Sequence, residues 1–166
     1  MDVRFQSELV NRIGDFLHNV GLPICSTPID RPTFLPGITV RDGVLLVDES
    51  QLLYPGDLLH EAGHLAVLSP LERARATAPF DVEAGWEMAA IAWSFAALMH
   101  LEIDPAVVFH EGGYKGGSKA LLENFAEKRY IGVPLLQWTG MTSEATFPAM
   151  LRCLRPGHEN DENGSI

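Results

Sequence analysis

Asp57-Leu58-Leu59-His60-Glu61-Ala62-Gly63-His64-Leu65-Ala66-Val67-Leu68 is the stretch around which the rest of the chain can be arranged. At about 100° per residue, His60 and His64 project within roughly 40° of each other on a helix, so their imidazoles converge on one point with Glu61 beside them. Leu58, Leu59, Ala62, Leu65 and Ala66 form an apolar stripe on the opposite face that would seat the helix in a core. The spacing therefore predicts a helix from Asp57, a residue type suited to cap it after Pro55-Gly56, to about Leu68, before Pro70. Gly63 costs such a helix about 1 kcal/mol relative to alanine, which predicts a second backbone passing close by. The hairpin just upstream is the expected neighbour.

That hairpin is read from Ile38-Thr39-Val40-Arg41 and Val44-Leu45-Leu46-Val47, which flank Asp42-Gly43, a pair suited to a tight turn with positive φ. Farther upstream, Phe5, Leu9, Ile13, Phe16 and Leu17 make the stripe of an amphipathic helix over residues 5–20, stopped by Gly21 and Pro23. Downstream, residues 71–79 read as a loop. A largely apolar helix follows over residues 86–101, ended by Asp104-Pro105. Val107-Val108-Phe109 reads as an extended piece before the glycine-rich run 110–117; Ser118 is placed to cap a helix through Arg129, and Thr142 or Ser143 to open a short last one. The polar tail from Pro156 onward stands apart. The order predicts an α+β fold, mostly helical, with a small antiparallel sheet or hairpin beside the histidine-bearing helix, in a single domain over residues 1–155 followed by the tail 156–166.

Composition narrows the partners. A net charge of -10 over 166 residues opposes binding to nucleic acid or to an anionic membrane. Residues 88–101 are too short to span a bilayer, which takes roughly 20 apolar residues, and they include Ser94 and His100. No basic and apolar leader opens the sequence, and Cys25 and Cys153 have no CxxC partner, so reduced, partly buried thiols in a cytoplasm are expected. Residues 112–119 are not a phosphate loop, since Gly117 is followed by Ser118-Lys119 and not by lysine then serine or threonine. No Gly-x-Ser-x-Gly occurs.

A hydrolytic zinc site takes three protein ligands and keeps a position for water. With His60, His64 and Glu61 so spaced, the chain resembles the zincin metallopeptidases, specifically the gluzincin type, over residues 44–101. Val67 and Pro70 stand where the metzincin pattern has glycine and histidine. The resemblance implies Zn2+ as cofactor and a glutamate on a following helix as third ligand. Glu83 follows His64 after 18 residues, the spacing of many gluzincin aminopeptidases; Glu87 follows after 22 and opens the apolar helix. Glu87 is preferred, because a carboxylate carried into Met88-Ala89-Ala90-Ile91 needs a partner. The stretch from Glu87 is also similar to the glutamate-then-alanine helix of compact peptidase domains that cleave phage-type repressors. The thermolysin-type Asn-Glu-x-x-Ser-Asp surround is absent.

On this reading Glu61 is the general base for the attacking water, and His110 or Tyr114 supplies a further donor to the developing oxyanion. The expected activity is hydrolysis of a peptide or amide bond in a peptide or protein substrate, with an edge of the hairpin pairing with the extended substrate. The rival expectation is a zincin-fold regulatory or binding module with a structural metal or vestigial activity, since so short a chain leaves little wall for a deep pocket. Substrate identity, endo or exo cleavage and oligomeric state are not legible in the sequence.

Overall fold

Asp42 and Gly43 adopt φ of 49° and 75°, the paired positive values of a two-residue turn whose twist matches that of the flanking strands. In the computed structural model, which describes residues 4–157, they fold β2 (Ile38–Arg41) back on β3 (Val44–Val47) in antiparallel register, Arg41 opposite Val44. A third strand, β1 (Ile24–Ser26), lies parallel to β3, so the sheet order is β1-β3-β2. The sheet is thus mixed and not antiparallel as expected. β1 has three residues and no alternating pattern, which hid it between Pro23 and Pro28. As the central strand β3 has no free edge; β2 is the edge strand of the hairpin.

The first helix, α1 (Glu8–Val20), starts later than its stripe because Ser7 accepts a hydrogen bond from Val10 N–H and caps it; Gly21, with φ of 95°, closes it. α2 (Asp57–Ala66) carries the two histidines. After it comes a short helix, α3 (Pro70–Arg75), where a loop was expected. Ser69 and Glu72 form a reciprocal capping box around Pro70, a start signal that the polar composition masked. α4 (Ala84–His100) is buried along most of its length. Residues expected to be extended form α5 (Pro105–Val108), in which Asp104 caps and Pro105 opens the turn, outweighing two β-branched valines. α6 (Ser118–Ala126) has Gly117, not Ser118, at its cap and ends before Arg129. α7 (Val133–Trp138) occupies an apolar run for which no helix was expected, and packs on α4 through Val133 and Leu136. Ser143 opens only a turn, its hydroxyl accepting from Thr146 N–H. Of the tail, residues 158–166, His158 among them, lie outside the described residues.

The core joins α1, the sheet, α2 and α4: Ile13, Leu17, Leu45, Leu58, Leu65 and Trp93 are among its fully enclosed side chains. All five residues of the predicted α2 stripe are buried. The backbone close to Gly63 is that of α4, since a Cβ at Gly63 would stand 2.6 Å from the carbonyl oxygen of Ala90. It is therefore helix packing, and not the hairpin, that requires the glycine. Among the described residues no helix is long and apolar enough to cross a membrane. Cys25 and Cys153 are free, and Cys25 is exposed where partial burial was expected, because the short β1 turns it outward.

The segment leading into β2 is tied down by one carboxylate. Asp48 accepts hydrogen bonds from the Ser50 hydroxyl, the backbone N–H of Ile29 at 3.0 Å and of Ser50 at 3.1 Å, and the Gln51 amide at 2.6 Å. These bonds, Ser50 foremost, lower its pKa from an ordinary 3.8 to about 2. A depressed carboxyl stabilises the fold fully above its unfolded pKa, so this contribution is expected to disappear as pH falls from about 3.8 through about 2. Asp48→Asn should lower the thermal midpoint at pH 6 and narrow its gap to the parent at pH 2. A constant gap across that interval would refute the linkage.

Candidate metal centre

One turn of α2 brings His60 and His64 to the same face, and α4 lies alongside so that Glu87, in its first turn, meets them. His60 Nε2 and His64 Nε2 are 3.2 Å apart; Glu87 Oε1 is 3.4 Å from the first and Oε2 3.2 Å from the second. Glu83 stands at the start of α4 without a capping side-chain bond, is exposed and does not join the cluster, so of the two candidate glutamates Glu87 is the one beside the histidines. The His60-His64-Glu87 cluster is the group of three that could hold a metal ion among the described residues.

The donor set can be tested against an ion's requirements. A tetrahedral ion with bonds of about 2.0–2.1 Å separates its ligands by about 3.3–3.4 Å, close to the 3.2 Å between the ring nitrogens and to the distance from each ring to its own Glu87 oxygen; with one ligand atom taken from each residue, the three lie within 4.8 Å of one another. Burial lowers the pKa of His60 to about 3, with His64 adding to the effect, and that of His64 to about 4. Both rings are then neutral near pH 7, the form that donates a lone pair. Burial also raises the Glu87 carboxyl. Two neutral ring nitrogens and a carboxylate crowded together favour a cation between them. In one respect the cage is incomplete: His64 Nδ1 is buried with no hydrogen-bond partner among the described residues, where metal-binding histidines usually have one.

Glu61 faces the same cleft beside this triangle without belonging to it. Its pKa rises to about 7 through burial first, then through the charges of Glu87 and Asp57. A carboxyl near 7 is matched to proton transfer at neutral pH. The cleft itself measures about 1330 Å³, with walls formed by residues 31–35, β2 through Ile38 and Thr39, Phe80, Leu121 and Ile131. It exceeds the usual 300–1,000 Å³ or so of ligand pockets, so the short chain does wall a substantial cavity, contrary to expectation.

His110 and Tyr114, paired in the sequence reading as candidate oxyanion donors, are placed differently. His110 does not line the cleft: it bonds Asp57 at 2.7 Å and stacks on Tyr54 with ring centroids 3.7 Å apart. Asp57 therefore does not cap α2. Gly56 holds that position without a side-chain bond, while the Asp57 carboxylate, its pKa raised by burial, reaches across to the loop. Tyr114 does line the cleft, and its hydroxyl lies 3.3 Å from His60 Nδ1. Burial keeps that phenol well above the ordinary tyrosine range.

Tyr114 and Lys115 take φ of 54° and 53°, a left-handed conformation costing a residue with a Cβ roughly 1–2 kcal/mol. Neighbouring contacts hold the strained turn: the His110–Asp57 pair, and the Ser118 hydroxyl donating to His110 C=O at 2.6 Å. Such strain persists only where surroundings over-determine it.

The other end of α2 is fastened by two arginines that sequence reasoning passed over. Arg73 donates to the carbonyls of Leu65 at 2.9 Å and Leu68 at 2.8 Å, and Arg155 N–H donates to Ala66 C=O at 2.9 Å. The Arg155 guanidinium lies 5.0 Å over the Trp86 ring and 6.0 Å from that of Trp138, so these tryptophans serve the clamp while Trp93 belongs to the core. Arg73 follows the helix by less than two turns, a spacing that could have signalled a carbonyl clamp. Arg155 carries no local signal. Ser94, fully buried in an apolar helix, was legible as a polar residue with a task.

Comparison of the chain with protein-family models, with curated proteins and with solved structures finds no match.

Proposed function

We propose that this protein is a zinc-dependent hydrolase of peptide or amide bonds, with a zincin-type arrangement in which His60, His64 and Glu87 hold the ion and Glu61 is the general base. The observation that carries the reading is the meeting of two imidazole nitrogens 3.2 Å apart with one carboxylate, Oε1 of which lies 3.4 Å from His60 and Oε2 3.2 Å from His64, next to a carboxyl whose pKa is raised to about 7. When bound, zinc supplies Lewis-acid polarisation and lowers the pKa of water. Glu61 takes the proton of the attacking water and delivers it to the leaving amine. Phe34, Leu35, Phe80 and Ile131 offer apolar contacts to a substrate's side chains. The edge strand β2 contributes Ile38 and Thr39 to the cleft, and there an extended peptide can add as a further strand. The free cysteines agree with a reducing cytoplasm as the place of work.

The test is turnover of a broad peptide library by protein purified without added metal, with and without chelator, beside its metal content. Cleavage abolished by chelator and restored by Zn2+ is expected, with about one ion per chain. His64→Ala should lose both ion and cleavage. One bound zinc with silence across every peptide would favour the binding module, and a parent protein that takes up no metal would overturn the reading.

A further inference from the structure

We propose that Phe80 is a specificity-determining residue, which selects a large apolar side chain (leucine, methionine or phenylalanine) in the peptide residue lying on the His64 side of the histidine pair. The inference rests on the hydrolase reading above and names the class of substrate that the cleft prefers.

The two ends of the pair differ in chemistry. Each imidazole has its own aromatic neighbour on the cleft wall: Tyr114 stands edge-on to His60 with ring centroids 5.1 Å apart, and Phe80 edge-on to His64 at 6.1 Å. With the two imidazoles 4.7 Å from each other, the rings follow in the order Tyr114, His60, His64, Phe80. At the Tyr114 end the wall is polar, since a hydroxyl lies 3.3 Å from His60 Nδ1 and the exposed Lys115 comes next in the chain. At the other end Pro79, Phe80 and Val82 present carbon to the cleft. Asp81, exposed between them, adds a carboxylate that disfavours an acidic side chain in the same place.

The wall that carries Phe80 is held in position by the hairpin. Ala76 C=O accepts from Gly43 N–H at 2.9 Å, the Thr77 hydroxyl accepts from Asp42 N–H at 3.0 Å, and Ala78 N–H donates to Val40 C=O at 2.9 Å. Residues 76–78 are thereby laid along the turn and the adjoining part of β2, and the chain then passes His64 through Phe80 on its way to α4. Phe80 is half-buried, packed against the core while lining the cleft. An apolar side chain laid on this ring takes the surface of both out of water, whereas at the Tyr114 end it would cover a hydroxyl and an ammonium group. One methylene more or less in an apolar pocket changes selectivity by about 10–200-fold.

The zinc-loaded full chain is to be given peptides that differ at one position at a time on either side of the bond cleaved in the library. One position is expected to prefer leucine, methionine or phenylalanine over alanine by about 10-fold or more in kcat/KM, and to reject aspartate. Phe80→Ala should bring the leucine-over-alanine ratio at that position close to unity, and Phe80→Trp, which narrows the space, should turn it in favour of alanine, each with zinc still bound. On a Glu61→Gln background, which holds the peptides uncut, the same ratios read as dissociation constants should move in parallel. A parent indifferent to side-chain size at every position would overturn the proposal whether or not any variant folds. So would folded, zinc-loaded Phe80→Ala and Phe80→Trp proteins that keep the parent's ratio. Either result, with cleavage intact, leaves the hydrolase reading standing and removes this one; silence across the library removes both.

Discussion

Glu61→Gln is expected to keep its zinc and to lose about 10²–10⁴-fold in turnover, the usual contribution of a positioned general base. Glutamine has nearly the shape of glutamate but cannot accept a proton. Glu61 stands outside the triangle of donors, so the substitution leaves His60, His64 and Glu87 in place. The parent carboxyl takes up a proton readily near neutrality because burial and the charges of Glu87 and Asp57 raise it to about 7. Metal content and kcat on a peptide cleaved by the parent provide the check. Equal kcat at equal zinc would remove Glu61 from the chemistry, whereas loss of zinc would make it a structural support of the site.

Gly63→Ala is expected to destabilise the protein through a single added methyl group at the contact between the two site-bearing helices. Alanine improves helix propensity by about 1 kcal/mol, but overpacking typically costs about 1–3 kcal/mol. Here the new Cβ would stand 2.6 Å from Ala90 O and 3.3 Å from Ala90 Cα, backbone atoms that move only if a helix moves. A net loss of up to about 2 kcal/mol, or at most roughly 4–8 °C in Tm for a chain of this size, is expected. Since α2 carries the histidines and α4 carries Glu87, forcing the helices apart should also weaken zinc binding. A variant with unchanged Tm would show that the two helices are less tightly engaged than the contact at Gly63 implies.

The hairpin and the histidine pair were legible because each depends on few residues at fixed spacing: Asp42-Gly43 for the turn, positions 60 and 64 for the convergence. Gly63 correctly announced a close neighbour, but a glycine says nothing of which backbone approaches, and α4 was there in place of the hairpin. The preference for Glu87 rested on the cost of carrying a charge into an apolar helix; Glu87, not Glu83, does lie beside the histidines, but in the first turn of α4 with 32% of its side chain exposed, so it is the position on the helix and not deep burial that brings it there. The misses share a cause. Asp57 and Ser118 are good cap residues by type, yet the fold spends both on the loop around His110, which is 53 residues from Asp57 and 8 from Ser118. β1 exists only because β3 offers it an edge. The hold of Arg155 on α2 likewise depends on where a segment some ninety residues farther along comes to rest, the bonds joining Arg155 to Ala66 and Val67.

Because α2 is moored at its start through Asp57 and His110 and at its end through Arg73 and Arg155, it has little freedom to slide or roll when the site is filled. On the zinc reading, an incoming ion would therefore have to take the spacing it finds. Calcium, which seeks six to eight oxygens at about 2.3–2.6 Å, would meet one carboxylate and two ring nitrogens there, so on that reading a firmly moored short helix would turn it away by the kind and number of its donors.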